Sequence, residues 1–207
     1  MPIPLIVWGI AAVVGVITAA TVITFACLTG KKVAFIGMKG AGKTTAVHAF
    51  RAVGEKNKNW TASKFEGTLD NVKEHKVFDF EVCIDTSGAQ ELKRNWETTI
   101  KNVDVVFYFF NISRLEEIMA FSGGEKARYS ALVKADLRDI AEICRGESKK
   151  IVVLATHTDI SGYDKNTADH LCGDILKELP DYKFVKGSLK NYDSAVQMAK
   201  EIEEKLK

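Results

Sequence analysis

No Asp, Glu, Lys, Arg or His occurs before Lys31. That absence excludes an ordinary solvent-facing segment. The run from Ile3 to Leu28, IPLIVWGIAAVVGVITAATVITFACL, is longer than the roughly 20 apolar residues that cross a bilayer core as a helix. A cleaved signal peptide needs a basic start and a short apolar core, whereas here the basic residues, Lys31 and Lys32, follow the run. Cysteine is sparse: Cys27, Cys83, Cys144 and Cys172 show neither CxxC nor Cys/His ligand spacing. This excludes a zinc or iron–sulfur framework and fits reduced core thiols. Three prolines form no linker, and no internal repeat suggests a solenoid. A formal net charge of +2 leaves no basic footprint for nucleic acid.

What remains is a chain of 207 residues, 46% hydrophobic and 27% charged, enough for one α/β domain and one extra segment. The expected division is a transmembrane helix over 3–29 and a globular domain over 31–207. Thr18, Thr21 and Thr24 do not prevent spanning, because their hydroxyls bond back to the preceding helical turn. Lys31 and Lys32 flank only one end of the run, so the positive-inside tendency places the domain in the cytoplasm on a single-pass protein.

The domain opens with KVAFIG, Lys32 to Gly37, a short β-branched run expected to be a buried strand. GMKGAGKT follows, Gly37 to Thr44, matching Gly-x-x-x-x-Gly-Lys-Thr. TTAVHAFRAV then reads as a helix with Ala46, Val47, Ala49, Phe50 and Val53 apolar. Strand, glycine loop and helix form the context in which this motif cradles phosphate. Backbone amides from Gly37, Lys39, Gly40, Ala41, Gly42, Lys43, Thr44 and Thr45 face an anion at the positive end of the helix. The Lys43 ammonium reaches the β- and γ-phosphates, and the Thr44 hydroxyl takes one Mg²⁺ position.

Later segments decide among kinase, ATPase and GTPase. VFDFEVCI, Val77 to Ile84, reads as one strand ending in Asp85-Thr86-Ser87-Gly88. At the carboxyl end of a parallel strand Asp85 faces the nucleotide crevice and holds a Mg²⁺ water, while the Gly88 amide senses the γ-phosphate. VDVVFYFF, Val103 to Phe110, is a further core strand, followed by a long helix within Arg114 to Gly146. The Phe121-Ser122-Gly123-Gly124 stretch reads as a surface connection. IVVLA, Ile151 to Ala155, ends in Thr156-His157-Thr158-Asp159. Asp159 is placed to accept from N1 and N2 of guanine, a donor pair adenine lacks, and His157 to lie against the ring. A last strand, Tyr182 to Val185, leads to Gly187-Ser188-Leu189-Lys190, whose backbone faces guanine O6. A closing helix over Ser194 to Lys207 is expected, capped by Asp193 or Ser194.

GMKGAGKT, DTSG, THTD and SLK, in that order, resemble the small GTPase superfamily over residues 32–207, the loop being most similar to ADP-ribosylation-factor-like proteins. The layout, one apolar N-terminal segment and then a G domain, is similar to that of signal-recognition-particle receptor β subunits. The resemblance implies a P-loop G domain with a six-stranded, mostly parallel sheet, GTP or GDP and Mg²⁺ as ligands, and protein partners at two switch segments. It implies roles in guanine binding for Thr156, His157, Asp159, Ser188, Leu189 and Lys190. Thr156 and His157 stand where the family usually has Asn and Lys.

The water-orienting Gln of the family follows the DxxG glycine directly. Here Ala89 takes that place and Gln90 comes one residue later, which implies slow hydrolysis in which Gln90 and Lys43 are the catalytic candidates. A switch Thr should bind Mg²⁺ and the γ-phosphate. Thr61, 18 residues after Lys43, and Thr68 are the candidates. Two functions fit: a membrane-anchored GTPase switch that recruits a cytosolic partner, or a GTP-binding scaffold subunit that rarely hydrolyses its nucleotide. Asp159 and Ser188-Leu189-Lys190 argue against a P-loop kinase or ATPase.

Overall fold

The computed structural model describes residues 23, 25–64, 75–84, 93–120, 124, 126–160, 165–177 and 182–207. Strands are β1 Lys32–Gly37, β2 His75–Val77, β3 Phe80–Ile84, β4 Val105–Asn111, β5 Ile118–Ala120, β6 Lys126–Arg128, β7 Lys150–Thr156 and β8 Lys183–Lys186. Helices are α1 Lys43–Gly54, α2 Lys93–Lys101, α3 Tyr129–Ile143, α4 Lys165–Lys177 and α5 Tyr192–Leu206.

Six strands form one sheet in the order β2-β3-β1-β4-β7-β8. Only β2 runs antiparallel, against β3; the other pairs are parallel. This is the expected α/β architecture with a six-stranded, mostly parallel sheet. The middle strands are apolar on both faces because helices cover both. Every residue of β4, Val105 to Asn111, is buried, including the Phe107-Tyr108-Phe109-Phe110 run. Phe35 of β1 stacks on Phe107 at 5.3 Å between ring centroids. Tyr108 brings a hydroxyl into this core, and it donates to Asp136 Oδ2 of α3 at 2.9 Å. Burial, before the nearby Asp136 charge, pushes the Tyr108 phenol well above its ordinary range, so it stays a protonated donor.

Three segments differ from expectation. Val77 to Ile84 is not one strand: Val77 pairs with Phe80 across a tight turn, with Phe78 in the left-handed region at φ 50. The stretch from Arg114 to Gly146 contains the expected long helix but reaches it through a hairpin that was not expected. It passes through a short 3-10 turn, Ile112–Arg114, and the β5–β6 hairpin before α3 begins at Tyr129. Gly124, at φ 81, lies in the β5–β6 connection. The last helix starts two residues earlier than expected and is capped by Asn191, not by Asp193 or Ser194. The Asn191 side chain accepts from Ser194 N, and the Ser194 hydroxyl accepts from Asn191 N, a reciprocal capping box.

The end of the apolar run also differs. Of the segment expected to span 3–29, only Ile23 and Phe25–Thr29 lie among the described residues. Phe25 and Leu28 are fully buried in the domain core. The Phe25 ring packs against Phe78, Phe80 and Phe50 at 5.0, 5.7 and 5.8 Å, and Gly30 N donates to Asp79 O at 2.8 Å. Ile23 and Phe25, ahead of Lys31, therefore pack with the globular unit, Phe25 completing a cluster with Phe50, Phe78 and Phe80. Among the described residues no helix is long and apolar enough to cross a membrane.

The contribution of Phe25 is measurable. Phe25→Ala leaves a cavity among rings that hold the β2–β3 turn, and should destabilise the domain by about 3–5 kcal/mol. Denaturant unfolding of the full chain in detergent checks this; an unchanged midpoint would mean that Phe25 is peripheral to the core.

Candidate functional site

All parallel strands point their carboxyl ends to one edge of the sheet, where two adjoining cavities lie. The first is built from the end of β1. Gly37 has φ 126, and a Cβ there would fall 2.2 Å from the Phe109 carbonyl oxygen of β4. Only glycine allows this approach, which lets Met38 N donate to Phe109 O at 3.0 Å. The chain turns through Gly40 and Gly42, both at positive φ, into the first turn of α1. Lys43 is 5% exposed. Its ammonium folds back over the loop, donating to Gly37 O at 2.7 Å and Met38 O at 2.9 Å. A cavity of about 250 Å³ is lined by Gly40 to Thr45 and His157. It joins a helix N-terminus, a buried cation and a glycine loop, the requirements of a phosphate site.

The second cavity, of about 150 Å³, shares Gly42, Thr45 and His157 with the first and adds Ala62, Thr156, Asp159, Leu189 and Lys190. β7 delivers Thr156 to its floor, 2% exposed. The Thr156 hydroxyl lies 2.9 Å from Ala41 O, 3.1 Å from Phe110 O and 2.7 Å from His157 Nδ1. Both carbonyls only accept and the hydroxyl has one proton, so it donates to one partner at a time; the His157 ring donates to the hydroxyl as the Nδ1–H tautomer and accepts from it as the other. His157 sits at φ 65, a left-handed conformation uncommon for a residue with a side chain and concentrated at functional sites. Asp159 Oδ1 accepts from Ser188 Oγ at 2.6 Å, and Ser188 Oγ accepts from Lys190 N at 3.1 Å. The THTD and SLK segments are thereby fixed to each other with a carboxylate at the cavity.

Of the expected site residues, the fold brings Gly40 to Thr45 together with Thr156, His157, Asp159, Leu189 and Lys190. Ser188 adjoins them through Asp159. The Lys39 side chain is exposed at the outer edge of the loop. Thr61 lies elsewhere: it bridges Asn191, with its hydroxyl 3.5 Å from Ser63 Oγ, and does not line the phosphate cavity. Ala62 N donates to Lys190 O and Tyr192 N to Trp60 O, which holds this segment beside the base cavity. Asp85, Gly88, Ala89, Gln90 and Thr68 lie outside the described residues. Among the described residues no group of three His, Cys, Asp or Glu gathers to hold a metal. The donor set at the loop still fits Mg²⁺, because Thr44 offers a hydroxyl and this ion usually takes only one or two protein oxygens beside phosphates and water.

Two contributors escaped the sequence reading. Ala62 lines the base cavity through tertiary pairing alone. Arg114 lies against the loop, its Nη1 3.4 Å from Lys39 O. It is held by Glu117 through two hydrogen bonds and lies over the Tyr129 ring at 5.1 Å. A signal existed: Arg114 comes three residues after the end of a central strand, and such positions border the crevice.

No protein-family model matches the chain, and no curated protein matches it in sequence. Among solved structures it is similar to the Arl6 (BBS3) small GTPase from Trypanosoma brucei, which was solved with the bound nucleotide analogue GppNp. The two are 17% identical with a TM-score of 0.54, over 85% of this chain and 98% of that one. The fold is that of the small GTPases, as the order of the four motifs implied.

His157 makes the site sensitive to pH. Burial holds its imidazole below the ordinary 6.5; Asp159 draws it partly back up, and Arg114 pushes it down. The folded chain thus favours the neutral ring, so on acidification the unfolded chain takes up the proton first. The stability this gives is present above the unfolded value and is lost as the pH falls through 6.5 towards the folded one. The thermal midpoint should drop more steeply in this window for the native chain than for His157→Asn. Parallel slopes would remove His157 as the cause.

Proposed function

We propose that the chain is a membrane-fixed GTP-binding switch that hydrolyses GTP slowly and recruits a cytosolic partner according to its nucleotide state. The observation that carries the nucleotide part is the pair of adjoining cavities. The phosphate end has Lys43 and the glycine loop, the base end has Asp159, and Gly42, Thr45 and His157 belong to both. A guanine nucleotide matches this division. Its triphosphate meets the loop amides and Lys43, and its N1–H and N2–H donate to Asp159. His157 replaces the aliphatic stem of a lysine with a flat ring against the base.

In the hydrolytic reaction water attacks the γ-phosphorus and the β,γ-bridging oxygen leaves. Lys43 neutralises charge that develops on the phosphates. Mg²⁺, when bound, neutralises further charge on the β- and γ-oxygens; Thr44 would hold it, with Asp85 contacting its water. Ala89 after the DxxG glycine removes the usual water-orienting amide, and Gln90 stands one residue late. This supports slow turnover until a partner supplies a group. The pairing of Trp60–Ala62 with Lys190–Tyr192 supports a nucleotide-dependent first switch, since Thr61 can meet the γ-phosphate only after those bonds open. The uncharged run before Ile23 supports a permanent anchor: residues 3 to about 22 form the membrane span, and the domain is packed from Ile23 onward. Such a protein stays on the membrane in both nucleotide states, so the nucleotide governs the partner's location and not its own.

Isothermal titration of the full chain in detergent tests the nucleotide reading. GTP should be preferred to ATP by about 10⁴-fold, as for a site built to pair two donors. Asp159→Ala should weaken GTP binding by at least about 10²-fold, from two bonds of roughly 1.5–3 kcal/mol each. Equal affinity for both nucleotides would sink the assignment. In single-turnover assays Gln90→Ala should barely change an already slow rate; a large loss would place Gln90 at the catalytic water. Carbonate extraction of membranes should leave the chain in the pellet with GDP or with a non-hydrolysable GTP analogue. Release in either state contradicts the anchor.

A further inference from the structure

The parallel strands start at the edge of the sheet opposite the nucleotide cavities, and lysines collect there. A cavity of about 490 Å³ is lined by Lys149, Lys150, Lys183, Lys205 and Lys207, with Glu147 beside them. Two of these lysines serve the fold. Lys149 Nζ donates to the carbonyls of Ile100, Lys101 and Val103 at 2.6, 3.0 and 2.9 Å and pairs with Glu147 at 2.9 Å. Lys150 Nζ donates to Leu206 O at 2.6 Å. They satisfy carbonyls at the ends of α2 and α5. Lys183, Lys205 and Lys207 are exposed, and no acceptor among the described residues holds their ammonium groups. Three acids near this edge are already engaged, Glu147 by Lys149, Glu81 by Lys32 at 3.6 Å and Asp104 by the Lys32 amide at 2.8 Å, while Asp79 of the β2–β3 turn and Glu204 of α5 are exposed.

The same edge receives the N-terminal segment. Phe25 to Leu28 enter the core just before β1, and Cys27 lies within electrostatic range of Lys150, Lys31 and Glu203. The uncharged run therefore reaches the domain beside the lysine-lined cavity and not beside the nucleotide.

We propose that this edge is a docking face for anionic lipid headgroups, with Lys183, Lys205 and Lys207 contacting phosphate and carboxylate groups of the bilayer. The proposal rests on the membrane-anchored reading above and adds to it the orientation of the domain and the chemistry of the surface it lies on. An anchor that ends just before Ile23 sets this face toward the membrane, where charges within a Debye length, about 8 Å, sense an anionic surface. There each lysine strengthens association with an anionic surface by about fivefold.

The full chain, reconstituted into vesicles of phosphatidylcholine alone or with phosphatidylserine, tests this by lysine acetylation read by mass spectrometry. Labelling of Lys183, Lys205 and Lys207 should fall about fivefold or more on the phosphatidylserine vesicles relative to the neutral ones. Lys39 and Lys190 at the opposite edge should be unchanged. Equal labelling on both vesicles overturns the proposal. So does equal protection by soluble glycerophosphoserine on neutral vesicles, which would assign the site to a free anion. Carbonate extraction of the same vesicles reports the anchor separately. Retention without protection removes the lipid face and leaves the anchor. Extraction with protection removes the anchor and leaves the face. Extraction without protection removes both.

Discussion

The site depends on a contact that leaves no room for a side chain. Gly37 ends β1 so close to the Phe109 carbonyl that a methyl group there would overlap it. The β1–β4 register, Gly37 opposite Phe109, thus sets where the phosphate loop begins. From that point Met38 is tied to β4, Lys43 folds back on Gly37 and Met38, and α1 starts with its amides facing the cavity. The large aromatic core behind this contact has a clear mechanical role. Phe35, Phe107 and Phe109 pack as a block, so β1 and β4 cannot slide without breaking it.

The base end is held differently, by hydrogen bonds between side chains and loops. One hydroxyl, Thr156 Oγ1, links β7 to the phosphate loop through Ala41, to β4 through Phe110 and to His157. An asparagine, the usual residue of the resembling family, can donate twice from its amide. Threonine donates once, so it serves one of the two carbonyls at a time, and its remaining contact is with His157 Nδ1. The two departures from the family pattern are thus in direct contact, Thr156 and His157 forming one hydrogen-bonded unit. His157 combines a left-handed backbone with a ring that meets the Thr156 hydroxyl and lines the cavity.

Most of this was legible from residue types. Buried parallel strands show as short apolar runs, and β1, β4, β7 and β8 fall within a residue or two of their expected bounds. The phosphate loop and Asp159 carry chemistry in their spacing, so they too were legible. The failures share a cause. Phe78 turns the chain between β2 and β3 with no glycine or proline to mark it. Its left-handed conformation is held by packing between Phe25 and Phe80, a tertiary effect invisible to local pattern. β5 and β6, three residues each, are too short to show alternation. Thr61 and Ala62 are placed by pairing with Lys190 to Tyr192, more than a hundred residues away in the chain, and spacing from the phosphate loop says nothing about such a partner. Asn191, Asp193 and Ser194 all make good caps, and only the backbone settles which begins the helix.

The two ends of β1 divide the labour on the proposed reading. Its six residues, five rises of about 3.3 Å, separate the Lys32 end from the Gly37 end by roughly 17 Å. An anchor that ends just before Ile23 therefore holds the domain by the edge farthest from the nucleotide, and the phosphate loop, His157 and the Trp60–Ala62 segment face away from the membrane. Rearrangement there needs no movement of the anchor, because the β1–β4 block between the two edges is packed as one solid. The surface that responds to nucleotide is then the one a cytosolic partner meets first, while the lysine edge keeps the same relation to the bilayer throughout. A lipidated switch has to couple its nucleotide to its own attachment; on the proposed reading the rigid sheet uncouples them, and the output left to the nucleotide is the identity of what binds.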